Sequence, residues 1–92
     1  MSESIFIAER YIAGLGMAEF RALAERLTIA TAAMRAEGRS IRWLRSFGVL
    51  EDEACLCVFL ADNVADVQEA NRRAEAEWER IIPAFVLENQ QD

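Results

Sequence analysis

The stretch RWLRSFGVLEDEACLCVFLAD, Arg42–Asp62, decides the fold. From Ser40 to Val49 the residues alternate, with Ile41, Trp43, Arg45 and Phe47 on one side and Arg42, Leu44 and Ser46 on the other. That is the period of a β-strand. The acidic run Leu50–Glu53 reads as a solvated turn, and Ala54–Ala61 as the strand that returns beside the first. Upstream, Phe20, Leu23, Leu27, Ala30 and Met34 recur every three or four residues, which predicts a helix over Met17–Glu37 with one apolar stripe. Glu19 favours the exposed amides of its first turn, and Gly38 is its stop. A weaker line of Ala18, Ala22, Ile29 and Ala33 is either ordinary Ala-rich helix surface or a subunit contact.

Further out, Glu3–Ile12 is apolar on both alternating sides except at Glu9 and Arg10, which suits a strand inside a sheet, and AGLG at Ala13–Gly16 ends it. Beyond the hairpin, Asp62 and Asn63 can cap a second helix whose buried side is Val64, Val67, Ala70, Ala74 and Trp78. Ile81–Leu87 reads as a last strand, which Pro83 confines to a sheet edge or a bulge. The order β-α-β-β-α-β predicts an α+β, ferredoxin-like sandwich: a four-stranded antiparallel sheet with both helices on one face, as a single domain over residues 1–92.

Composition limits the chemistry. The chain carries 16 acidic and 10 basic residues for a net charge of −6, and its bases are scattered, so nucleic acid is not an expected partner. No apolar run is long enough to span a membrane, and the start of the chain lacks a signal-peptide layout, so a cytoplasmic protein without a membrane partner is expected. Every base is Arg, and there is neither Lys nor His. A Schiff base, the usual neutral-pH general base and the commonest metal ligand are therefore all closed to this chain. Chemistry would have to come from carboxylates, Tyr11, Arg, the two Cys or a bound cofactor, and no cofactor is indicated. Cys55 and Cys57 point the same way along a strand but sit too far apart for an unstrained bridge, so reduced thiols are expected, and two sulfurs fall short of a structural zinc site. The residues themselves assign no metal site.

With both helices on one side, the other sheet face is left open. If Phe6, Ala8 and Ile12 face the helices, then Ile5, Ile7, Glu9 and Tyr11 face out, joined by Trp43, Arg45 and Phe47 and by Cys55, Cys57 and Phe59. So apolar a face is expected to bury itself against a second copy, sheet on sheet, as a homodimer. Within the chamber, Glu9, Tyr11, Arg45 and Cys57 would be the polar minority, with Trp43 as a wall. Alternatively Glu9 and Arg45 form an ion pair, Tyr11 and Trp43 are packed rings, and Glu75, Glu77 and Glu79 are the wet side of a helix end.

The segments ERYIAG, RWLRSF, CVFLA and NRRAE followed by ERI resemble, in order and spacing, a family of small bacterial proteins that includes a Streptomyces nickel-binding protein. The likeness covers nearly the whole chain and matches at Glu9, Arg10, Tyr11, Trp43, Ser46, Cys57, Arg73, Arg80 and Ile81. It implies a ferredoxin-like fold, a dimer and, for some relatives, metal binding. Where relatives carry His, this chain has Arg45 and Ala70, and an Arg repels a cation. Where relatives have a Gly-containing turn before the last strand, AEAEWERI continues, which places Trp78 on a lengthened helix.

Two functions follow from this reading. The first is a small-ligand or metal-binding dimer with a pocket on the open face, lined by Glu9, Tyr11, Trp43, Arg45 and Cys57. The second is a cofactor-independent enzyme of the dimeric α+β barrel type, in which Glu9 is the general base and Tyr11 or Arg45 stabilises an oxyanion during proton transfer or oxidation of a small organic substrate. A module for another protein, docked through the acidic surface, is a third and plainer role.

Overall fold

In a computed structural model that describes residues 3–90, these patterns become β1 (Ser4–Tyr11), α1 (Met17–Ala36), β2 (Ile41–Val49), β3 (Ala54–Ala61), α2 (Val64–Arg73) and β4 (Arg80–Ala84). A 3₁₀ turn over Leu50–Asp52 joins β2 to β3. The sheet order is β2-β3-β1-β4, antiparallel throughout, which is the expected ferredoxin-like arrangement. No helix among the described residues is long and apolar enough to cross a membrane.

The helix stripe behaves as its period requires. Leu23, Leu27, Ala30 and Met34 are buried against Phe6, Ala8, Ile41 and Phe59, and Phe20 packs at the edge of this cluster. Fully burying a side chain of the size of Leu27 or Met34 stabilises the fold by about 1.5–3 kcal/mol. At the start of α1, Glu19 Oε1 accepts from the Gly16 amide at 3.0 Å. At the start of α2, Asn63 Oδ1 accepts from the Asp66 amide at 2.9 Å. The acidic turn does more than meet water, because Glu53 Oε2 accepts from the Gly14 amide at 2.6 Å and the Glu53 carbonyl from the Ile12 amide at 2.8 Å. It thereby ties the β2–β3 turn to the end of β1.

Four expectations are corrected. α2 stops at Arg73, so Trp78 and the glutamates at 75, 77 and 79 lie in the connection to β4 and not on a helix. There Trp78 offers its ring to the Arg72 guanidinium, 5.7 Å from the ring centroid. β4 ends at Ala84, and residues 85–90 continue without strand pairing, although Pro83 does lie in an edge strand.

The third correction is a β-bulge. Trp43 pairs with Phe59 and Arg45 with Val58, so Leu44 is an extra residue on β2. One extra residue reverses the parity of everything after it. Ile41, Trp43 and Ser46 therefore share the helix side, while Arg45 and Phe47 look out with Val58 and Leu56. The fourth concerns β3, whose Cys55, Cys57 and Phe59 are fully buried under the helices and not on the open face. Both faces of ACLCVFLA are apolar, so alternation alone could not choose between them.

Candidate functional sites

The residues expected in one chamber are distributed over both sides of the sheet. On the open face, Arg45 and Phe47 emerge from β2 beside Ile5 and Val58, and the segment after β4 passes alongside with Val86 and Leu87. Together they border a groove of about 540 Å³. Arg45 is its cationic group; Phe47 is 54 % exposed, Phe85 99 % and Leu87 96 %.

Glu9 lies on the same face but outside this groove. Its partner is Arg80, whose Nε donates to Oε1 at 2.7 Å across the β1–β4 pair, and not Arg45. Tyr11 closes β1 at the far end, exposed, beside Arg26 and Glu77.

Trp43 is on the helix side. With Met17, Phe20, Leu23 and Ser46 it borders a second cavity, of about 420 Å³, between α1 and β2, and Arg45 reaches this one too from its place after the bulge. Cys57 lies behind Ser46, in a polar cluster inside the apolar core. The Trp43 Nε1–H donates to Ser46 Oγ at 2.9 Å. An indole nitrogen can only donate, so the serine's own hydrogen is free to point at Cys57 Sγ, 2.9 Å away. The Cys55 sulfur lies 3.7 Å from that of Cys57, and both thiols are free.

The same layer holds Arg10, which pairs with Cys55 across the β1–β3 ladder and is only 3 % exposed. Its Nη2 donates to Asn71 Oδ1 at 2.5 Å, and Asn71 is oriented for this because its Nδ2 donates to the Val67 carbonyl at 2.7 Å. Nε and Nη1 of Arg10 are buried with no hydrogen-bond acceptor among the described residues. The hydrogen bond from Cys55 is the main cause that brings the Cys57 thiol below its usual range, with Arg10 and the Ser46 hydroxyl acting the same way against burial. Cys55 is pushed up, by its bond to Cys57 and by desolvation.

Sequence reasoning singled out Cys57, Trp43 and Arg45 but not the cluster that unites the first two with Ser46, Arg10 and Asn71. Its signal was present only as ERY in β1, where two charges stand side by side in an otherwise apolar strand, so that one of them must enter the core.

A metal fits poorly. No group of three or more His, Cys, Asp or Glu side chains that could hold an ion occurs among the described residues. The two thiols share their surroundings with a guanidinium, and the open groove offers a single carboxylate, Glu88, opposed by Arg45.

Comparison with known proteins matches residues 6–83 to the model of a family described as nickel responsive protein SCO4226-like. Among solved structures, the chain is similar to SCO4226 from Streptomyces coelicolor A3(2), with a TM-score of 0.76 and 9 % identity, over 92 % of this chain and 100 % of that one. Comparison with curated proteins gives no match.

Proposed function

As the chain belongs to the SCO4226-like nickel-responsive family, we propose that it is a small-ligand-binding homodimer whose ligand lies on the open sheet face beside Arg45. The observation that carries this reading is the groove between β2, β3 and the segment after β4, whose walls are mostly apolar, whose cationic group is the Arg45 guanidinium, and whose remaining polar residues are Glu88 and Gln90 of the segment after β4. Arg45 is always charged and offers paired donors, so it selects an anionic or carbonyl-bearing ligand with an apolar body. The second copy supplies the cover. Phe47 and Leu87 are exposed at the groove, Phe85 is exposed on the same segment after β4, and apolar surface of this kind marks a face that another surface closes.

Nickel, which the family description names, does not suit this chain. It has no His, and no cluster of three metal-ligating side chains is found among the described residues. Titration with nickel chloride, followed by calorimetry, is expected to give no saturable heat. Glu9, held by Arg80, acts in this reading as a strut between two strands and not as a base.

The test uses anilinonaphthalene sulfonate, an anionic aromatic probe. The native protein is expected to bind it with enhanced fluorescence, and Arg45→Gln to weaken binding about tenfold or more, since a charge-assisted hydrogen bond is worth roughly 1.5–3 kcal/mol. Equal affinity in the two proteins would remove Arg45 from the site.

A further inference from the structure

The polar cluster under the helices is unused by the proposed ligand groove and has a directed chemistry of its own. Two of its contacts converge on the Cys57 sulfur. Trp43 can only donate, which commits the Ser46 hydroxyl to Cys57, and Cys55 stands at contact distance on the other side. Beside this pair is a guanidinium, 3 % exposed, with two nitrogens lacking an acceptor and no carboxylate ion pair among the described residues. A buried positive charge needs a negative one nearby.

The sign of that charge separates two possible roles for the thiols. Arg10 opposes a bound cation and favours an electron-rich sulfur, so nucleophilic chemistry fits and soft-metal binding does not. Cys57 is itself fully buried, but Ser46, in contact with its sulfur, forms part of the wall of the cavity between α1 and β2, so a molecule the size of a peroxide in that cavity reaches Cys57 when the Ser46 side chain turns aside.

We propose that Cys57 is a thiolate nucleophile for small hydroperoxides, and that Cys55 resolves the product. The Cys57 sulfur attacks the terminal peroxide oxygen, the O–O bond breaks, and the leaving alkoxide or hydroxide takes a proton from water. Cys57 is then a sulfenic acid. The Cys55 thiol loses its proton and attacks that sulfur; the S–S bond forms, the S–O bond breaks, and the departing oxygen leaves as water with the Cys55 proton. The sum is two thiols and one hydroperoxide giving one disulfide, one alcohol or water, and one water. Two thiols are oxidised and the peroxide is reduced. The sulfurs must close from 3.7 Å to about 2.05 Å across a single intervening strand residue, which makes the bridge strained and readily reduced by thiols, as a reversible switch requires.

The experiment is intact-mass analysis of the native protein treated with hydrogen peroxide. The expected product has lost two hydrogens and is restored by dithiothreitol, which distinguishes it from methionine oxidation. Cys55→Ser is expected to stop one oxygen heavier, again reversibly, and Cys57→Ser to show no thiol-reversible product. Native protein at pH 7 is expected to react roughly tenfold faster than the urea-unfolded chain, because an ordinary thiol is only a few per cent ionised there.

The charged and titratable groups acting on Cys57 are Arg10 from β1 and Cys55 from its own strand. Ser46 is a positioning residue, so Ser46→Ala should move the pH midpoint of the reaction upward while leaving the product unchanged. The proposal is overturned if the native wild-type protein keeps both thiols under peroxide, if it reacts more slowly than the unfolded chain, or if Cys57→Ser oxidises as fast as wild type.

Discussion

Arg10 shows what a single residue can hide. In the sequence, Glu9 and Arg10 are neighbouring interruptions of an apolar strand, and alternation sends one to each face. The structure sends the carboxylate out to Arg80 and the guanidinium inward to Asn71. Asn71 in turn reads as an unremarkable polar position of a helix, yet it is fully buried and carries the one side-chain hydrogen bond that Arg10 makes among the described residues. Asn71→Leu keeps the volume and removes that acceptor, leaving a third guanidinium nitrogen unpaired in the core. The expected loss is about 2–4 kcal/mol in urea unfolding. A loss near zero would mean that the guanidinium finds another acceptor. Arg45 was legible because it stands on a surface. Cys57 was legible as chemistry but misplaced, since both faces of its strand are apolar.

At the scale of elements, the two helix ends explain why one was read correctly and the other was not. α1 closes with the Arg39 amide on the Met34 carbonyl and the Gly38 amide on Arg35, with Gly38 at φ 91°. α2 closes in the same way, the Ala76 amide on Asn71 and the Glu75 amide on Arg72, but the left-handed position is occupied by Glu75 at φ 54°. Gly38 announces the stop, whereas Glu75 disguises it, and the apolar spacing continued past it to Trp78. Since a non-glycine residue is strained there, Glu75→Gly is expected to stabilise the fold by about 1 kcal/mol, seen as a higher urea midpoint. No gain would show that Glu75 makes a compensating contact. The bulge at Leu44 was likewise invisible, because a bulge changes parity without changing composition.

The helices are also joined by charge, with Arg73 of α2 donating to Glu37 at 2.8 and 2.9 Å and to Glu69 at 2.9 Å. Its hydrogen bonds are the main cause that lowers both carboxyls from their usual 4.5, with Arg39 acting on both and Arg72 on Glu69. Groups lowered in the folded state stabilise it above their unfolded value and lose that contribution as pH falls through the folded one. Acidification below about pH 4.5 is therefore expected to destabilise wild type more than Arg73→Ala in parallel urea titrations. Identical slopes would contradict a role for this network.

For the whole molecule, the order of elements was legible, since the α1 stripe follows its period, the Ala54–Ala61 run is bounded by turn residues, and the sheet order is the one these connections favour. On α2 the expected buried side holds at Val67 and Ala70 and not at Val64, which is exposed. The open face was legible as a consequence of that topology, although its membership was not, because the bulge and the apolar β3 exchanged Trp43 and Cys57 for Leu56 and Val58. What remains exposed there is concentrated at Phe47 and around the groove beside Arg45. Sedimentation equilibrium of wild type beside Phe47→Asp tests the central claim most directly. Wild type is expected at twice the chain mass at micromolar concentration, and Phe47→Asp at the mass of one folded chain. A wild-type protein that sediments as a single chain across this range would contradict the account.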